Sequence, residues 1–116
     1  MSVRVLGVGV AAPELRLSAS DVGAAWGRGG RGQMAVCAPD EDTLTLAWQA
    51  ADRALRAAGI EAAAVDGLYW GTSRPPYAEG PSFAFLAATL GCPATIAGTL
   101  SAGSAHAGTT SCSRVA

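Results

Sequence analysis

Ser101-Ala-Gly-Ser-Ala-His-Ala-Gly-Thr109 is the stretch whose reading decides the fold. It is a run of small side chains with one imidazole, set after a short apolar segment and before residues suited to a helix. Small residues let a strand-to-helix turn pack tightly and bring backbone N–H groups close to a reacting atom. Such a turn has meaning only if strands and helices converge on it, so the neighbouring segments are read outward from it.

Immediately upstream, Cys92–Ala97 reads as a short strand. Before it, Phe83, Leu86, Ala87 and Leu90 mark a helix after Pro81 that Gly91 closes, and Phe85 and Ala88 make its other face apolar too. A helix so poor in charge is expected to be covered on several sides. Ser73-Arg-Pro-Pro-Tyr-Ala-Glu-Gly80 is a loop whose prolines restrict it, and Val65–Thr72, bulky and aromatic, is a strand. Further back, Leu44, Trp48, Ala51, Leu55 and Ala58 repeat at four-three-four-three spacing, one stripe for a core. Asp40-Glu41-Asp42 load the start of that helix, Asp42 or Thr43 can cap it, and Gly59 stops it. Asp52 and Arg56 form an i,i+4 pair on its outer side.

At the amino end, Val3–Val10 (Val-Arg-Val-Leu-Gly-Val-Gly-Val) reads as a strand apolar on nearly both faces, suited to the middle of a sheet. Gly7, Gly9 and Ala12 have the spacing of a dinucleotide-binding turn, but Pro13 and Leu15-Arg16-Leu17 supply no helix opening there, so plain strand-end glycines are favoured. Ser18 or Ser20 caps a short helix through Trp26 with Asp21 in its first turn. Gly27–Gly32 (Gly-Arg-Gly-Gly-Arg-Gly) is read as a solvated loop rather than a phosphate or RNA contact. The predicted order is strand, helix, strand, helix, strand and the start of a helix. That alternation implies an α/β fold with a mostly parallel sheet.

With 116 residues the chain is one domain at most, 50% hydrophobic and only 15% charged. Much of the apolar share is Ala, and 15 residues are Gly, so a core must come from close backbone approach. A net charge of -1 offers no electrostatic case for nucleic acid or anionic lipid. Every basic residue is Arg, which excludes a lysine Schiff base. Cys37, Cys92 and Cys112 are widely spaced and accompanied by a single His, so no metal site is expected. The acidic triplet is read as a solvated helix start rather than a metal ligand set. With no leader and no membrane-length apolar run, a cytoplasmic chain with reduced thiols is expected, with neither membrane nor nucleic acid as partner.

Taken in order, these segments resemble the opening part of thiolase-superfamily enzymes, most closely the 3-hydroxy-3-methylglutaryl-CoA synthase and ketoacyl synthase III branch. The points of match are Gly7-Val-Gly9 with Pro13, Asp40-Glu41-Asp42-Thr43-Leu44, Gly71-Thr-Ser-Arg-Pro-Pro-Tyr-Ala78, and the small-residue turn ending Ala107-Gly108-Thr109. They cover Val3 to Thr110 and are specific through order and spacing rather than singly. The resemblance implies a thiolase-like α/β fold of which residues 1–116 are a partial N-terminal domain. In the family, two similar five-stranded halves enclose the site, and the protein is usually a homodimer. A cysteine at a helix N-terminus takes the acyl group from CoA or a carrier-protein thioester, with no further cofactor. A glutamate after the second strand moves the proton, and a histidine and an asparagine come from the second half.

Carried over by position, the resemblance places the family's cysteine at Ala105 and the synthase glutamate at Ser73. Neither side chain can do the corresponding work. His106 stands where the family has a long basic side chain, and Ser104 with His106 lacks an orienting acid, which leaves them as weak catalytic candidates. Cys112 falls about two helical turns past the expected nucleophile, and all three cysteines read as incidental or buried thiols.

The family's first strand is expected centrally, so that without its partner Val3–Val10 would be an open edge. Ser111–Ala116 departs from the expected Ala- and Leu-rich continuation. A GC-rich coding of it read two bases later gives Leu-Leu-Ala-Gly-Arg, so a frameshift or early end is expected. Three functional expectations follow: an N-terminal fragment of an acyl-CoA carbon–carbon bond enzyme, inactive alone; a noncatalytic partner completing a thiolase-like heteromer; or part of a cysteine-less CoA-ester lyase beside an acyl-CoA-binding partner domain.

Overall fold

The computed structural model describes residues 2–113, which form two compact units. One is Ala12–Asp42; the other joins the opening segment through Ala11 to the chain from Thr43 onward. Arg114 to Ala116, half of the divergent tail, lie outside the described residues.

In the Ala12–Asp42 unit, β1 (Leu15–Ser18) runs antiparallel to β2 (Gln33–Val36), with Leu15 opposite Val36 and Ser18 opposite Gln33. Between them lies α1 (Ala19–Ala25), capped by Ser18, whose hydroxyl accepts the Ser20 N–H at 3.2 Å. The serine cap and the end at Trp26 follow the sequence reading. The antiparallel pair does not: Leu15-Arg16-Leu17 alternates for only three residues, and Gln-Met-Ala-Val carries little strand propensity alone. Gly23 is buried because the backbone at Arg28 and Gly29 passes where a Cβ would stand.

The other unit holds α2 (Thr43–Ala58), a 3-10 turn (Ala62–Ala64), β3 (Gly67–Thr72), α3 (Ser82–Leu90), β4 (Ala97–Ala102) and α4 (Ala107–Ser113). Strands β3 and β4 are parallel, paired from Gly67↔Ala97 to Thr72↔Ala102, and α3 makes the crossover that a parallel pair requires. The sheet expected to be mostly parallel is therefore one parallel pair and one separate antiparallel pair. Gly59 (φ +66°) and Gly91 (φ +87°) take the left-handed conformation that ends α2 and α3. Arg56 holds Asp52 at 2.8 Å on the exposed side of α2, a pair worth only a few tenths of a kcal/mol.

The core of this unit is Leu44, Trp70 and Leu86, with Ala47, Leu68, Leu90 and Leu100 packed against it. Leu86, 2% exposed, contributes about 2 kcal/mol by burial. Two packing expectations fail. Trp48 on the α2 stripe is 37% exposed, and Phe85 on α3 is 55% exposed, because the described chain provides no third layer over these helices. The strand expected at Cys92–Ala97 also lies elsewhere: residues 94–95 form a turn and the ladder begins at Ala97, where the chain comes level with Gly67.

Val3–Val10 is not a strand. No described residue forms a ladder with it, and strand character requires a hydrogen-bonded neighbour. It is instead held against α2 through its glycines. A Cβ on Gly7 would stand 2.7 Å from the Ala54 carbonyl oxygen and the Ala58 nitrogen, and one on Gly9 would overlap the backbone at Ala50 and Ala54. Arg53 Nη1 donates to the Val10 carbonyl at 2.6 Å. Val3, Val5, Leu6, Val8 and Val10 remain exposed, up to 82% at Val5.

An unpaired apolar segment of this kind drives association. The 116-residue chain is expected to sediment as dimers or larger species, and Val5→Lys with Val8→Lys to shift it toward monomer. A monodisperse wild-type monomer with one cooperative thermal transition would contradict this.

Candidate functional site

The C-terminal ends of parallel strands are where α/β folds place their chemistry, and both positions singled out in the sequence lie there. Thr72 and Ala102 are the paired last residues of β3 and β4. Ser73 follows β3 directly, while Ser104, Ala105 and His106 form the turn between β4 and α4.

Gly71 sets the distance between strand and helix. Its absent Cβ would stand 2.5 Å from the Ala107 carbonyl group and from Gly108 Cα, so only glycine lets the first turn of α4 rest on β3. Ala107 is correspondingly buried. The turn is locally satisfied: the Ser104 hydroxyl accepts the His106 N–H at 3.1 Å, and the Ala107 N–H reaches the Ser104 carbonyl at 3.2 Å. Both the N–H and the hydroxyl of Thr110 donate to the His106 carbonyl, at 3.0 and 3.1 Å. Ser104 thus acts as a turn acceptor, and no hydrogen bond joins its hydroxyl to the His106 ring among the described residues. The helix begins at Ala107, within the small-residue stretch itself.

Ser73 is exposed in a bend pinned from both sides. Thr72 Oγ1 donates to the Arg74 carbonyl at 3.1 Å and accepts the Arg74 N–H at 3.3 Å, while Thr43 Oγ1 donates to the same carbonyl at 3.3 Å. The loop is therefore anchored to the start of α2. The positions at Ser73 and at Ser104, Ala105 and His106 share one end of the β3–β4 pair, yet they present two hydroxyls, a methyl and an exposed imidazole, with no carboxylate partner among the described residues.

The three thiols belong to other segments of the chain. Cys92 sits just beyond α3, where its N–H bonds to the Ala87 carbonyl, and burial pushes its thiol pKa up. Cys112 is exposed on α4, and Cys37 is exposed after β2. The hydroxyl of Ser111 is buried without a partner. No group of three His, Cys, Asp or Glu side chains could hold a metal ion among the described residues. No described helix is long and apolar enough to cross a membrane.

No family model matches the chain. The hydroxymethylglutaryl-CoA synthase of Methanococcus maripaludis strain C5 is 35% identical to it over 97 residues, covering 77% of this chain and 28% of that one. The hydroxymethylglutaryl-CoA synthase of Thermococcus gammatolerans is 33% identical over 91 residues, covering 77% and 26%. The 3-oxoacyl-(acyl carrier protein) synthase III of Pseudomonas aeruginosa PAO1 superposes with a TM-score of 0.74 at 28% identity, over 96% of this chain and 35% of that one. The chain belongs to the thiolase superfamily. The 3-oxoacyl-[acyl-carrier-protein] synthase III of Aquifex aeolicus, at 19% identity and a TM-score of 0.77, shares the fold over 95% of this chain. This thiolase-like chain spans about a quarter of the length of the curated relatives it matches.

Sequence reasoning missed one conspicuous side chain in this thiolase-like chain. Trp26 was read only as a helix end, but its indole is 78% exposed, two residues before the exposed Arg28. Nothing in helical periodicity distinguishes an indole that terminates a helix from one presented to solvent.

Two outcomes check this geometry. Gly71→Ala is expected to cost about 1–3 kcal/mol in thermal or denaturant unfolding, the range typical of overpacking. A neutral substitution would show that α4 does not rest on β3. A thiol pKa raised by burial means less thiolate at a given pH, so Cys92 is expected to alkylate more slowly at pH 8 than the exposed Cys37 and Cys112, with a rate that climbs only above the ordinary thiol range. Equal rates by mass-mapped iodoacetamide labelling would refute that burial.

Proposed function

We propose that this chain is a partial N-terminal domain of a thiolase-fold protein of acyl-CoA carbon–carbon bond chemistry, without a catalytic nucleophile and inactive alone. The observation that carries the reading is Ala105, in the turn between β4 and α4. Acyl transfer to the enzyme needs a thiolate or alkoxide at that turn, activated by a base or a helix N-terminus. A methyl group cannot attack a thioester. Ser104 is occupied as a turn acceptor, and Ser73 has no carboxylate to move a proton.

The relatives named as hydroxymethylglutaryl-CoA synthases suggest a CoA ester as the ligand class.

A second reading is favoured by the unpaired Val3–Val10 segment: a noncatalytic subunit that completes a shared fold with a thiolase-like companion chain. Copurification with a full-length thiolase-like protein would distinguish it from the inactive fragment.

Incubation of the purified chain with acetyl-CoA and acetoacetyl-CoA is expected to leave its intact mass unchanged. A covalent acyl adduct stable to desalting and released by hydroxylamine would overturn the proposal.

A further inference from the structure

We draw no further inference here: the strongest candidate, the hollow of about 490 Å³ lined by Asp52, Arg56 and Glu61 beside the C-terminal end of α2, rests on a small acidic cluster whose Asp52 is already paired with Arg56, and nothing in the structure shows what would occupy it.

Discussion

Close approach of main chain to main chain, at positions where a side chain is missing, holds this structure together. Gly7 and Gly9 let the opening segment lie on α2, Gly71 lets α4 rest on β3, and Gly98 lies against Leu68 and the Phe83 ring. A chain rich in Ala has little apolar area per residue to bury, so contact must come from proximity rather than from bulk. Leu86 is the one large side chain among the described residues that is almost fully enclosed. Each glycine costs backbone entropy in the unfolded chain. The fold therefore rests on a few tight contacts, and losing any one of them removes a large share of its cohesion.

The same constraint explains the site. With α4 drawn against β3, the turn after β4 is short, and Ser104 accepts the His106 N–H on its hydroxyl and the Ala107 N–H on its carbonyl. That geometry would serve a reacting side chain in the turn well, but Ala105 provides only a methyl.

Local signals in the sequence located α2 and α3 well. The four-three spacing from Leu44 to Ala58 and the glycines at 59 and 91 fixed their extents, and the aromatic run at Leu68-Tyr69-Trp70 marked β3. The turn around Ala105 and the loop at Ser73 were legible for the same reason, since small residues and prolines act locally. What failed depends on partners. Ala97–Ala102 has weak strand propensity and becomes β4 only through its register with β3. Val3–Val10 has strong strand propensity and no ladder, because pairing belongs to two segments and not to one. The exposure of Trp48 and Phe85 escaped for a related reason: a helical stripe shows which side is apolar, not whether anything covers it.

The extended stretch lying on α2 has a bearing on the fate of the polypeptide in a cell. Proteases and holdase chaperones engage unstructured or open backbone, and a segment with no ladder bonds need not unfold globally to become available. Release of this segment requires only that its contacts at Gly7, Gly9 and Val10 part from α2, not that Leu86 and Trp70 leave the core. Local release of the segment and global unfolding of the core are thus separable events.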